Sequence, residues 1–138
     1  MAAYLDASIL LRRLFREPGA LGDLGRFGPF IASTLLEVEC FRTLHRARLS
    51  ARISDEEGAR KAYEIHQHLE AITRIRVSDP VLRAAKRPFH VSLGTLDSIH
   101  LASALLWREG NGDPVTLLTH DAKLAAAGRA EGFPVFGA

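Results

Sequence analysis

Short apolar runs in this chain break repeatedly onto an acidic residue at the start of a helical stretch, and that alternation leaves few folds open. Ala2 to Leu5 runs into Asp6 and a helix-like segment, and Val115 to Leu118 runs through Thr119-His120 into Asp121 and another. Strands that alternate with helices at this spacing pack as a parallel sheet covered on both faces. Parallel strands end on one edge, where open α/β sheets bind ligands, so Asp6 and Asp121 are expected to face the same crevice. The expected class is α/β, with a central, mostly parallel sheet of four or five short strands and helices on both faces.

Periodicity and capping signals place the remaining elements. A helix is expected over Ala7–Phe15, interrupted by Pro18 and Gly19. Phe30–Ala32 reads as a second strand, with Ser33 or Thr34 as the cap of the helix that follows. Leu35, Val38, Cys40, Phe41 and Leu44 recur at helical spacing, and the pattern runs to Leu49, which puts Glu39 inside a helix about one turn from its start. Ser54 followed by Glu57 has capping-box spacing and opens a helix to about Ala71. Ile75–Val77 reads as a third strand, and Asp79-Pro80 starts a short helix. An alanine- and leucine-rich helix follows Gly94-Thr95 and is expected to end at Gly110. The chain then continues with a helix over AKLAAAGRA and a last strand over Phe133–Phe136.

With 138 residues, 47% of them apolar, the chain can bury one sizeable core, so a single domain over residues 1–138 is expected. Eighteen Lys and Arg against 16 Asp and Glu give a formal charge of +2, which neither requires nor excludes nucleic acid as a partner. Cys40 is the only cysteine, which rules out an internal disulfide and a thiolate zinc cluster, and it is expected to be a buried apolar residue in a helix. The six histidines show no metal-binding helical pair, since His66 and His68 are two apart. His100, one helical turn after Asp97, is expected to pack or to support the acids rather than ligate. No apolar run reaches the roughly 18 residues that span a bilayer, and Asp6, Arg12 and Arg13 interrupt the first one. A soluble, cytoplasmic protein is the expectation.

Four acids, Asp6, Glu39, Asp97 and Asp121, carry the candidate chemistry, and each also has a plainer reading. Asp6 and Asp121 sit where helix caps sit. Asp97 lies in a first turn, where the helix dipole favours negative charge. Glu39 can pair with Arg42 across one turn. Gathered at one edge, however, carboxylates repel, by roughly 3 kcal/mol for two charges about 5 Å apart at an effective dielectric near 20. A divalent cation relieves that repulsion. Arg42 and Arg46 share the face of Glu39 and are equally well read as phosphate contacts or as a solvated helix face.

The blocks YLDASILLRRL, STLLEVECFRTLHR, LGTLDSIHLASAL and LLTHDAKLAAAGRAEGFPV, in that order and over nearly the whole chain, resemble the PIN domain in the form carried by VapC-type toxins of bacterial toxin–antitoxin pairs. The resemblance implies a PIN-like fold and an endoribonuclease using Mg²⁺ or Mn²⁺, homodimeric and silenced by a cognate antitoxin through which any DNA contact is made. It places the family's four acids on Asp6, Glu39, Asp97 and Asp121 as catalytic and metal-holding residues, and its small hydroxyl residues on Ser8 and Thr119. The second block holds two glutamates, Glu37 and Glu39, on opposite sides of a helix. Family spacing favours Glu39. The acid that some members carry near His120 or Lys123 has no counterpart here.

Two other readings stay open. One is a phosphate-handling α/β protein with Asp6 as phosphoacceptor, although Ser8 stands where a dehalogenase-type phosphatase has a second Asp. The other is a non-catalytic PIN-like module that acts through protein contacts along the helices Leu35–Leu49 and Ser54–Ala71.

Overall fold

A computed structural model describes residues 1–138. Five strands, β1 (Ala2–Leu5), β2 (Phe30–Ser33), β3 (Ile72–Ile75), β4 (Val115–Leu118) and β5 (Val135–Phe136), form one sheet in the order β3-β2-β1-β4-β5. Every pairing is parallel. Six helices connect and cover it: α1 (Ala7–Leu14), α2 (Leu35–Leu49), α3 (Asp55–Glu70), α4 (Asp79–Ala85), α5 (Thr95–Asn111) and α6 (Ala122–Ala130). No helix is long and apolar enough to cross a membrane.

The two-residue period of the central strands sorts side chains between two cores. Ala3 and Leu5 of β1 and Leu118 of β4 pack with Ile9, Leu10, Leu36, Leu44 and Ile65 from α1, α2 and α3. Tyr4 and Leu117 point to the other face, against Leu101 and Leu105 of α5 and Leu124 of α6. Because β1 and β4 are covered on both sides they read as nearly continuous apolar runs, interrupted only by Thr116, and all four residues of β4 are buried. A smaller cluster of Val81, Ile99 and Ala102 joins α4 to α5.

Leu5 pairs with Leu118, so β1 and β4 end level with one another. The chain leaves β1 towards β2 on one side and returns to β4 on the other. This reversal of strand order opens a crevice at the carboxyl ends of β1 and β4.

Local signals set most boundaries. The Ser54 hydroxyl accepts from the Glu57 amide, and Ser78 accepts from Val81 above the Pro80 turn. Several boundaries differ from the sequence reading, α1 and β2 by one residue each, ending at Leu14 and Ser33. The third strand lies over Ile72–Ile75, because an edge strand needs only Ile72 buried while Thr73 and Arg74 face solvent; Ile75 and Val77 pack against the α4–α5 cluster instead. Helix α5 runs through Gly110 and stops at Gly112, whose φ of +68° suits glycine. The last strand shrinks to two residues, since Pro134 has no N–H and only lends its carbonyl to Leu117.

Helix α6 approaches β4 through Gly128, where a Cβ would collide with the fully buried Leu117 side chain. Alanine normally favours a helix over glycine by about 1 kcal/mol. Overpacking outweighs that here, so Gly128→Ala is expected to destabilise the protein by about 1–3 kcal/mol. Thermal melts followed by circular dichroism check this; a raised midpoint would show that Leu117 has room to move.

Candidate functional site

Asp6 follows β1 directly and is only 5% exposed. It occupies the cap position of α1 but makes no capping hydrogen bond. Its Oδ2 instead accepts from the Ser8 hydroxyl at 2.6 Å and the Thr119 hydroxyl at 2.8 Å. Each hydroxyl also accepts a backbone N–H from the turn after β4, Ser8 from His120 at 2.9 Å and Thr119 from Asp121 at 3.0 Å. Two side chains therefore staple the β1–α1 junction to the β4–α6 junction and fix one oxygen of Asp6. The other oxygen, Oδ1, faces His100 Nε2 at 3.9 Å.

Asp121 does cap its helix: its Oδ1 accepts from the Leu124 amide at 2.9 Å, which leaves Oδ2 uncommitted. The plain reading of Asp121 and its place at the crevice hold together. Glu39 and Glu37 separate as a helix requires. Glu37 pairs with Arg74 at 3.1 Å on the exposed side of α2, whereas Glu39 Oε1 lies 2.5 Å from Nε2 of the buried His100. Arg42, one turn from Glu39, is exposed.

Asp97, in the first turn of α5, is half-buried and carries a pKa pushed up to about 6. Burial is the largest cause; the charges of Asp121, Asp6 and Glu39 raise it further, and only His100 opposes them. The four acids named from the sequence thus lie close enough to feel one another at a single edge. His100 is raised as well: burial pulls the imidazole down, but the hydrogen bond and charge of Glu39, then Asp6 and Asp97, outweigh it. Cys40 is buried beneath the acids, and desolvation followed by the charges of Glu39 and Asp6 pushes its thiol up to about 12, which makes it inert.

No three His, Cys, Asp or Glu side chains converge into a ready-made ligand cage. The donor set nonetheless fits a hard cation. All four acids offer oxygen, they repel one another, and Mg²⁺ is usually held by one or two carboxylates with water completing the octahedron. A groove of about 600 Å³ between α4 and α5, lined by Leu82, Arg83, Lys86, Thr95 and Ser98, opens beside the Asp97 turn.

Two residues of the site carried no functional signal in the sequence. Tyr4 reads as a core strand residue, yet its hydroxyl bonds His100 Nδ1 at 2.7 Å. His120 closes the rim: its Nε2 accepts from the Leu21 amide at 3.3 Å, and Nδ1 lies 2.7 Å from the Gly137 carbonyl. All three contacts join residues distant in the chain, which no local pattern encodes.

A parallel α/β domain with carboxylates gathered at its strand-order reversal is the class this architecture defines. The PIN domain family matches residues 3–136, and the chain belongs to that family. None of the curated proteins matches it detectably. Among solved structures, VapBC2 from Rickettsia felis bound to a promoter DNA fragment is similar over 98% of this chain and 97% of its own, with a TM-score of 0.64 and 16% identity. A toxin–antitoxin complex from Klebsiella pneumoniae is similar over 91% of both chains, with a TM-score of 0.63 and 19% identity. PAE2754 from Pyrobaculum aerophilum is similar over 100% of this chain and 87% of its own, with a TM-score of 0.60 and 19% identity. At such identities the likeness speaks to the fold.

The raised pKa of Asp97 has a stability consequence. Between its ordinary value of 3.8 and about 6 the folded protein holds a proton that the unfolded chain has released. Stability contributed by this group is therefore lost as pH rises through that window. Asp97→Asn is expected to raise the melting midpoint of protein stripped of divalent ions at pH 8, by about 1 kcal/mol of stability after allowing for solvent around a half-buried group. The gain should fade towards pH 4. Equal melts at pH 8 would mean that the four acids do not strain the fold.

Proposed function

We propose that the chain is a single PIN-like domain over residues 1–138 acting as a divalent-metal-dependent endoribonuclease, the toxin of a toxin–antitoxin pair. The observation that carries this reading is the gathering of Asp6, Glu39, Asp97 and Asp121 at one sheet edge, where the other three raise the cost of ionising Asp97. Membership of the PIN family and the likeness to toxin–antitoxin structures support it. The proposed setting is the cytoplasm, with an antitoxin and a second copy of the chain as protein partners and DNA reached only through the antitoxin.

In this reading Asp6 Oδ1 and Asp121 Oδ2, the oxygens not spent on internal hydrogen bonds, hold the Mg²⁺ or Mn²⁺, with Glu39 and Asp97 acting through water. The bound cation supplies charge neutralisation at the scissile phosphate and acidifies water. Asp97, free of internal hydrogen bonds and close to neutral in pKa, is suited to orient a water and take its proton. Ser8 and Thr119 keep Asp6 from turning away. Arg83 and Lys86 in the neighbouring groove, with Arg42 and Arg46 on α2, offer positive charge to the RNA backbone. Asp6 as a phosphoacceptor is disfavoured, because an almost buried carboxylate that already accepts two hydroxyl hydrogens is a poor nucleophile.

Asp6→Asn and Asp97→Asn are each expected to lower RNA cleavage by at least about 100-fold, the order of several kcal/mol of charge stabilisation, with an unchanged circular dichroism spectrum. Removing divalent ions with EDTA should have the same effect and Mn²⁺ should reverse it. Cleavage at the wild-type rate by both variants would refute the assignment. A folded protein that binds no Mn²⁺ in calorimetry would point to the non-catalytic module.

A further inference from the structure

Beneath the acids lies a buried polar relay that the proposed chemistry does not use. Tyr4 and His100 are both fully buried, one from the middle of β1 and one from the first turns of α5, and their rings meet edge to face. The Ser33 amide, which can only donate, points at Tyr4 Oη at 3.2 Å. Tyr4 therefore accepts there and, with the imidazole neutral, can give its own hydrogen to His100 Nδ1, 2.7 Å away. An accepting Nδ1 puts the hydrogen of the neutral ring on Nε2, and a protonated ring carries one there as well. In either state Nε2–H donates to Glu39 Oε1 at 2.5 Å, and it stands 3.9 Å from Asp6 Oδ1.

One N–H thus fills the space between the first aspartate and the helix glutamate, where a cation shared by the two would have to sit. The ring cannot easily leave. It is fully buried, and its far nitrogen is held by a tyrosine that is itself anchored to β2 through the Ser33 amide. Glu39, in turn, is supported only from this side; the exposed face of α2 carries Glu37 and its partner Arg74.

We infer that His100, held by Tyr4, is a positioning residue that fixes Glu39 away from the ion and makes the acidic edge a centre for a single divalent ion carried by Asp6 and Asp121, with Asp97 reaching it through water. This rests on the reading of the acids as a cation site. It deepens that reading by assigning Glu39 to the protein's own hydrogen-bond network and by giving the donor at His100 the place a second ion would take.

Calorimetric titration of the full chain with Mn²⁺ tests this without reference to cleavage. Wild-type protein is expected to bind one Mn²⁺, and Glu39→Gln to weaken it by less than about 3-fold, under 1 kcal/mol. His100→Leu should release Glu39, so that Glu39→Gln in that background weakens Mn²⁺ by at least about 10-fold or abolishes a second bound ion. His100→Gln, which keeps an N–H near the position of Nε2, should restore the wild-type pattern, a rescue that loss of packing alone would not produce. Should His100→Leu fail to fold, Tyr4→Phe serves in its place, because it frees Nδ1 and lets the ring turn from Glu39. Two ions in wild-type protein, or a 10-fold loss on Glu39→Gln alone, would overturn the inference while leaving the metal-site reading intact. Absence of any Mn²⁺ binding would take down that reading and this one together.

Discussion

A carboxylate at 5% exposure is costly to keep ionised unless the fold supplies hydrogen bonds to it, and everything at the acidic edge follows from how Asp6 meets that demand. Ser8 and Thr119 each give it a hydrogen and each take one from the backbone beyond β4. Charge-assisted bonds of this kind are among the stronger ones available to a protein. They also lie across the central parallel pair of the sheet, so the stabilisation of one charge is the alignment of two loops. Asp121, placed by the same turn, inherits its position from them.

The acids differ in how they are satisfied, and the differences sort their chemistry. Asp6 is half committed to hydroxyls, Asp121 half committed to its helix, and Glu39 bonded to a buried imidazole. Asp97 has no such anchor, and its pKa is raised, first by burial and then by the charges of Asp121, Asp6 and Glu39. In the proposed nuclease reading, the one carboxylate without a hydrogen bond is the position suited to exchange protons with water.

Much of this architecture was legible in the residues. Alternating apolar runs and helical stretches specified the parallel sheet, and β1, α2, β4 and α6 fell where periodicity put them. Asp6 and Asp121 could be assigned to one edge because strands running parallel in one sheet end on the same side. The edge strands were harder. Half-buried β3 carries Arg74 where the alternation begun by Ile72 expects an apolar residue, and β5 is too short to show a period. Glu37 and Glu39 were separable in principle by helical angle, but which one turned inward depended on Arg74 and His100, partners 37 and 61 positions away. The role of Tyr4 was invisible for a similar reason: its hydroxyl matters only because α5, folding back from residue 95 onward, sets an imidazole against it.

The last residues of the chain are nearer to the chemistry than their place in the sequence suggests. Gly137 has φ +104°, and a Cβ there would stand 2.6 Å from the Thr119 carbonyl oxygen and crowd Ile9. Its own carbonyl meets His120, the neighbour of Asp121, which also receives the Leu21 amide from the loop after α1. Tail, loop and acidic crevice are thus fastened at one imidazole, so the seating of the residue beside Asp121 depends on segments from both ends of the domain.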